Sequence, residues 1–407
     1  MSVTSEATRS AHPGAGSPPP AAAPHGGSRT SGGGKVSGPL AIFTSTMGGG
    51  GAQRSMVKLA GAIAHRGFEV DLVLIRAEGH YRSEVSEAVR VIDLGARRAL
   101  ASIPPMVRYL RRERPAALLS SLDYVNIVGL WARRLSGVET RMIVSERNTL
   151  SSVVQNASRF RTKLRPPLMR WFYPWADGIV AVSRGVADDL TNMTGITSDR
   201  VQVIYNPVIS PLLREMASAP LDHPWFRPGE PPVVLGLGRL KPQKDFGVLI
   251  EAFAHVRETR QARLLILGEG PERGRLESTV RRLGLENDVQ LPGWVVNPYP
   301  FMSRSGLFVL SSRWEGLPGA LIEALYCSVP VVSTDCPSGP REILEDGRHG
   351  LLVPVGDVPA LARAIDIALS GAGPRPSPDT WRAFDQEVVV DRYLEALLGT
   401  RHEREAE

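Results

Sequence analysis

The sequence predicts two doubly wound α/β domains, each a parallel sheet with helices on both faces, behind a disordered N-terminal tail. Three observations lead there. Short segments such as PLAIFTST, RLLILGEG and LFVLSS carry near-continuous apolar runs, as strands of a parallel sheet covered on both faces do. A strand, a glycine-rich turn and a helix of 3.6 periodicity recur in that order. The rhythm then breaks once, over residues 209–231, where ISPLLREMASAPLDHPWFRPGEP carries several prolines. A chain of 407 residues is also longer than one ordinary core, which fits two Rossmann-like units.

Residues 1–38 are mostly Gly, Pro, Ala, Ser and Thr. They hold too little apolar surface to offset chain entropy, so disorder is expected. PLAIFTST (39–46) opens the first domain as a buried strand. MGGGGAQR makes a glycine-rich turn, and SMVKLAGAIAHRG has helical spacing that ends at Gly67, a C′ residue. FEVDLVLI (68–75) completes a βαβ unit, whose crossover is right-handed. VRVIDLG, AALLSSL, RMIVSE and DGIVAVS continue the alternation, and RVQVIYNPV closes the domain at residue 208. Residues 209–231 read as a linker. PPVVLGLGRL then starts a second domain (232–375), with RLLILGEG, VQLPGW, LFVLSS, VPVVSTD and GLLVP as further strands. FDQEVVVDRYLEALL, within 376–407, reads as a helix that packs back toward the first domain. Ligands of such sheets bind beyond the carboxyl ends of the strands, so the cleft between two of them is the expected site.

Composition narrows the function classes. With 43% hydrophobic and 22% charged residues, the chain is that of a soluble globular protein. No run of about 18 uncharged apolar residues suggests a transmembrane helix, and the tail lacks the apolar core of a signal peptide. Two cysteines, Cys327 and Cys336, do not make a disulfide framework and suit a reducing compartment. The expectation is a cytoplasmic protein. The net charge of +6 is carried by the first half, which suggests an anionic partner there. Within that half, RFRTKLRPPLMRWFYPW (159–175) mixes cations with aromatics. That pattern reads as peripheral contact with an anionic membrane, ahead of single-stranded nucleic acid and of a basic helix whose aromatics simply pack on the core; no nucleic-acid partner is expected.

Two strand ends carry glycines followed by a cation: Gly48–Gly51 with Arg54, and Gly236-Leu-Gly238 with Arg239 and Lys244. Glycine lets main-chain N–H groups approach an anion. Arg239 and Lys244 could clamp a diphosphate. Neither stretch matches a Walker or strict dinucleotide pattern, and glycines after strands also serve simply as tight turns. EGLPGALIEAL (315–325) places Glu315 in the loop after a strand and Glu323 in the second turn of the helix that follows Pro318. Free N–H groups of Gly316, Leu317, Pro318's successor Gly319, and Ala320 would face the same mouth. Donors for phosphate beside acceptors for hydroxyls suit a nucleotide sugar. A helix-dipole acid and a solvated helix acid would look the same in isolation.

EGLPGALIE resembles the E-x7-E signature of retaining glycosyltransferases of family 4, which have the GT-B fold. GGAQR (50–54), VSERN (144–148), VSRGV (182–186), YNPV (205–208), GRLKPQKDF (238–246), LLILGEGPER (264–273) and STDCPSGPREIL (333–344) resemble that family in its order. The resemblance covers nearly all of residues 39–400. It implies that Glu315 binds hydroxyls of the donor sugar, that Glu323 accepts from the ribose, and that Arg239 and Lys244 hold the diphosphate as catalytic groups. It further implies that Gly238 and the main chain of Gly316, Leu317, Pro318, Gly319 and Ala320 line the donor site. Gly50 and Gly51 would let the first domain approach the donor. Arg54, Glu146 and Arg147 would lie on the acceptor and sugar side. Arg147 stands where many relatives carry histidine, and Gly319 where asparagine is common.

The implied reaction is transfer of a hexose or N-acetylhexosamine from a UDP-sugar to a lipid-linked or polysaccharide precursor, with anomeric configuration retained. No Asp-x-Asp motif or zinc-spaced His/Cys cluster is present, so neither metal nor other cofactor is expected. The competing readings are a sugar-nucleotide epimerase and a non-catalytic sugar-nucleotide binder.

Overall fold

The structure, a computed structural model, describes residues 38–48, 50–157, 160–377 and 379–399. The expected disordered tail lies outside them apart from its last residue, as do Gly49, Arg159 and the end of the 376–407 segment.

The first sheet has seven strands: β1 (Leu40–Thr44), β2 (Val70–Leu74), β3 (Val89–Asp93), β4 (Ala117–Ser121), β5 (Arg141–Glu146), β6 (Gly178–Ala181) and β7 (Val201–Val203). Their order is β3-β2-β1-β4-β5-β6-β7, and each pair is parallel. The second sheet has six: β8 (Val233–Leu237), β9 (Arg263–Leu267), β10 (Val289–Gly293), β11 (Leu307–Leu310), β12 (Val331–Thr334) and β13 (Leu351–Val353). Their order, β10-β9-β8-β11-β12-β13, is again all parallel. Pro292 cannot donate to a ladder. It sits in β10, an edge strand, where the register shifts between Gln290 and Gly293. The expected pair of doubly wound parallel sheets is what the chain forms.

Alternation along each strand fills two layers. In the first domain, Leu40, Ile42, Leu72, Leu119 and Ile143 pack with Met56, Leu59 and Ile63 of the helix Gly51–His65. Ala41, Phe43, Val73, Leu118 and Val144 pack with helices on the opposite face. That first helix stops where Gly67, at φ +86, donates to the Ala64 carbonyl, a conformation that costs glycine little. In the second domain, Val234, Leu264, Ile266 and Val309 meet Phe246, Leu249, Ile250 and Phe253. The other face holds Leu235, Leu265, Phe308 and Leu310 against Leu321, Ile322 and Leu325. This last cluster also contains Val182, Val186 and Val208, so apolar packing is continuous from one domain to the other.

Segment 209–231 is folded onto the second domain. Its helix Leu213–Ser218 offers carbonyls of Met216, Ala217 and Ala219 to Asn297, Ser303 and Arg304, while Leu213 and Trp225 enter the core. The last helix, Gln386–Leu398, returns to the first sheet. Val389, Val390, Tyr393 and Leu397 are buried there, and Arg66 pairs with Glu387 and Asp391. The two chain crossings run side by side: Val208 and Ile209 donate to the Phe384 carbonyl, and Gln386 donates to that of Ile209.

Candidate functional site

In each sheet the strand order reverses beside its first strand, between β1 and β4 and between β8 and β11. Crevices at such points open beyond the carboxyl ends of the strands. The chain segments there are 47–54, Leu122, 237–245 and 311–317; they hold nine of the fifteen residues singled out from the sequence, and Pro318, Gly319, Ala320 and Glu323 follow directly in the cap and helix after the last of them.

The loop after β8 is built by close backbone approach. Gly238 has φ +156 and donates to the Leu267 carbonyl at 3.0 Å. A Cβ at Gly268 would overlap the Gly238 carbonyl oxygen, so the GLGR and LGEG turns can lie together only with glycine at that position. The Leu240 amide donates to the Glu269 carbonyl, and that of Lys244 to Lys241. Three further bonds fasten this loop to the end of β11: Arg313 N to Gln243 O at 2.8 Å, Gln243 Nε2 to Trp314 O at 2.9 Å and Ser311 Oγ to Lys244 O at 2.7 Å. The outcome is an ion pair across the switch point, Lys244 Nζ to Glu315 Oε1 at 2.5 Å. Ser312 Oγ donates to the same oxygen at 2.6 Å. The side chains are 20% and 8% exposed, so this pair is largely shielded and has a fixed geometry. Arg239 is exposed; burial lowers the Lys241 pKa and Arg239 adds to the lowering, while burial raises that of Tyr81 and Arg239 is among the cations opposing it.

Pro318 caps the helix Gly319–Tyr326. Glu323 lies in its second turn, 7% exposed, and accepts from Tyr299 Oη at 2.8 Å. Lys58 Nζ, from the first domain, stands 4.0 Å from the same oxygen. Leu317 and Pro318 are buried, Gly319 and Ala320 half-buried.

The glycine between Glu315 and Leu317 marks where the domains touch. A Cβ on Gly316 would overlap the Arg147 carbonyl oxygen. The Gly316 carbonyl accepts from Ser183 Oγ at 2.9 Å and Ser338 Oγ at 2.8 Å, and Thr149 Oγ1 reaches the Glu315 carbonyl at 3.4 Å. Glu342 accepts from the Arg184 amide at 2.9 Å and from Tyr205 Oη at 2.7 Å. His80 stacks on Trp294 with ring centroids 6.0 Å apart.

On the first-domain side, Gly50 precedes the helix that starts at Gly51. A Cβ at Gly51 would meet nothing within 4 Å, so no contact within the protein demands glycine there. Arg54 donates to Glu84 at 2.9 Å and lies 5.9 Å from the Tyr81 ring centroid. Glu146 and Arg147 are sequence neighbours with different surroundings. Glu146 is buried with Asn126 (2.8 Å) and Tyr173 donating to it. Burial pushes its carboxyl up to about 8, with Asp123 adding to the effect. It borders a cavity of about 140 Å³ whose wall includes Asp123, Tyr124, Asn148 and Arg165. Leu122, also in that wall, holds φ +88, a conformation costly for a branched side chain. The Arg147 guanidinium is taken up inside the first domain and by the last helix, bonding Ser55, Asn206, Met56 and Tyr393. Its carbonyl, not its side chain, reaches the second domain.

The structure pairs Lys244 with Glu315, sets Gly238 against the Lys244 side chain, and puts the charges of Arg239, Glu323 and Arg54 about Tyr81; Gly50 and Gly51 open the helix of the first domain that carries Arg54. Lys58, Tyr299, Ser312, Ser183 and Glu342 were not singled out from the sequence. Lys58 follows Arg54 by four residues, a spacing that puts both on one helix face. A second cavity of about 310 Å³, lined by Leu130, Arg133, Arg134, Gly137, Val138 and Trp175, shares none of these residues.

Two family models match the chain: Glycosyltransferase Family 4 over residues 49–209 and Glycosyl transferases group 1 over residues 231–370. A Campylobacter jejuni protein named N-acetylgalactosamine-N,N'-diacetylbacillosaminyl-diphospho-undecaprenol 4-alpha-N-acetylgalactosaminyltransferase is 29% identical over 379 residues, which is 88% of this chain and 99% of that protein. A lipopolysaccharide core biosynthesis glycosyltransferase of Rhizobium meliloti is 28% identical, covering 86% of this chain and 96% of its own. Among solved structures, Anabaena HepE in complex with UDP and glucose superposes with a TM-score of 0.71 at 19% identity, over 88% of this chain and 99% of that one.

Proposed function

This chain belongs to family 4 of the glycosyltransferases and is a glycosyltransferase of GT-B architecture; we propose that it moves a hexose or N-acetylhexosamine from a UDP-sugar to a lipid-linked or polysaccharide precursor, with retained anomeric configuration and without a metal ion. The observation that carries this reading is the shielded Lys244–Glu315 pair at the second sheet's switch point, with Arg239 on the same loop as Lys244 and Glu323 on the helix that follows Glu315.

In this mechanism Arg239 and Lys244 bind the diphosphate, and the free N–H groups at the start of the helix Gly319–Tyr326 add partial positive charge. Such preorganised donors stabilise the leaving nucleoside diphosphate without reorganising. Glu315 accepts from hydroxyls of the donor sugar and Glu323 from the ribose. Glu315 Oε1 already accepts two hydrogen bonds, which blunts it as a nucleophile. The acceptor hydroxyl attacks from the face the diphosphate leaves, and a phosphate oxygen takes its proton. The open space at Gly51 suits close approach of a ligand to the main chain. Charge neutralisation at the leaving diphosphate is assigned to the cations of the chain, Arg239 and Lys244. UDP release from UDP-hexoses and UDP-N-acetylhexosamines, with and without EDTA, tests donor and metal together. The anomeric proton coupling of the product tests retention: a β-linked product from an α-linked donor would overturn it.

The relatives named for diphospho-undecaprenol and lipopolysaccharide substrates support an acceptor at a membrane surface. No helix among the described residues is long and apolar enough to cross a membrane. Leu164, Leu168 and Trp171 are exposed, the last at 73%, and follow one another at helical spacing beside exposed Lys163 and Arg170. Arg165, between them, pairs with Asp123 in the wall of the cavity near Glu146. An apolar stripe flanked by cations is suited to the interface of an anionic bilayer, and here it leads to the acceptor side of the site. Flotation with anionic liposomes tests the contact, and absence of binding removes it.

A further inference from the structure

Lys58 lies one turn after Arg54 on the helix Gly51–His65. Its side chain is 18% exposed. The ammonium donates to the Val208 carbonyl at 3.3 Å and stands 4.0 Å from Glu323 Oε1. That separation is an ion pair too long to be a hydrogen bond. An ammonium has three N–H donors, and the described residues give this one a single hydrogen bond. Burial lowers the Lys58 pKa, with Glu323 opposing and Arg54 adding to the lowering. Burying a cation with slack partners is unfavourable, and methionine would fill the same volume on a helix that already buries Met56 and Leu59. Arg54 also feels the charge of Glu323, but its Nε is held by Glu84 at 2.9 Å, whereas the Lys58 ammonium has no carboxylate at hydrogen-bond distance among the described residues.

We infer that Lys58 is a positioning residue that couples occupation of Glu323 by the donor's ribose to closure of the first domain over the donor. The inference rests on the reading of Glu323 as the ribose acceptor. Glu323 is fixed from its own domain by Tyr299, whereas Lys58 comes from the other domain and is also tied to Val208 at the chain crossing. Ribose hydroxyls that orient the carboxylate leave an oxygen turned to Lys58, and shortening of the 4.0 Å pair draws the helix Gly51–His65 onto the nucleotide. A Lys58 that served only to fasten its helix to Val208 would be indifferent to the ribose.

The test is calorimetric binding of UDP and of 2′,3′-dideoxy-UDP to the full chain and to K58M, K58R, E323Q and K58M/E323Q. E323Q weakens UDP and leaves dideoxy-UDP unchanged. K58M weakens UDP about three- to tenfold, the range for a partly shielded charged pair, and also leaves dideoxy-UDP unchanged. K58R recovers part of the loss, and the double variant binds UDP no more weakly than E323Q. An E323Q protein with unaltered UDP affinity overturns the ribose reading and the coupling with it. If E323Q weakens UDP while K58M does not, or K58M weakens both ligands equally, the ribose reading stands and the coupling is overturned.

Discussion

Replacing Lys244 by methionine separates what the Lys244–Glu315 pair does for the fold from what it does for chemistry. The two atoms are 2.5 Å apart, with the carboxylate side chain 8% and the lysine 20% exposed. Removing the cation leaves Glu315 shielded, with Ser312 still donating to Oε1. Breaking a buried pair from one side costs about 3–5 kcal/mol, and the remaining bond and partial exposure argue for about 3 kcal/mol here. In a protein of this size that is a fall in melting temperature of roughly 5 °C. Loss of a charged contact to the departing diphosphate should lower turnover roughly ten- to hundredfold. The double variant K244M/E315Q leaves no stranded charge, so it should recover most of the stability and none of the turnover. Calorimetric melting and UDP release on the same preparations decide it. A K244M protein that melts and turns over like the parent would refute the reasoning, and a double variant that regains turnover would reduce Lys244 to a structural partner.

Other outcomes follow from the same geometry. Gly316→Ala should keep both domains folded but prop them apart at the Arg147 carbonyl, lowering kcat/KM more than stability; an unchanged kcat/KM would mean that this approach is dispensable. Glu146 faces Asp123, Arg165, Tyr173 and Asn126, and burial raises its carboxyl to about 8. A group raised above its unfolded value near 4.5 stabilises fully below that value and loses its contribution as pH rises through the folded one. Urea midpoints should therefore decline from pH about 4.5 to 8 through this residue, and E146Q should flatten the slope; parallel profiles would contradict the shift. Leu168→Glu with Trp171→Ala should abolish flotation with anionic vesicles and leave UDP release from the donor intact.

Much of this was legible in the residues because it is local. Strands buried on both faces read as near-continuous apolar runs, and helices repeat at 3.6, so LAIFT, RLLIL and the segments between them point to a wound parallel sheet. The clustering of Arg239, Lys244 and Glu315 was also legible, since all three follow strands at the carboxyl edge of one sheet. What was not legible depends on how distant segments meet. Gly316 is needed because Arg147, far away in the chain, presents its carbonyl there. Arg147 looks like a site cation beside Glu146, yet its guanidinium is taken up by Asn206 and Tyr393. Segment 209–231 has the prolines of a tether, but Leu213 and Trp225 bury themselves in the second domain. Lys58 alone left a usable trace, four residues beyond Arg54.

The central claim is that the mouth formed by Arg239, Lys244, Glu315 and Glu323 holds an activated sugar for transfer. The most direct measurement is UDP release by the purified chain from a panel of UDP-sugars with a diphospho-undecaprenol-linked saccharide, alongside R239A and E315Q. Acceptor-dependent release by the parent protein, cut at least tenfold in both variants, is the predicted result. Release at equal rates in all three proteins would contradict the account.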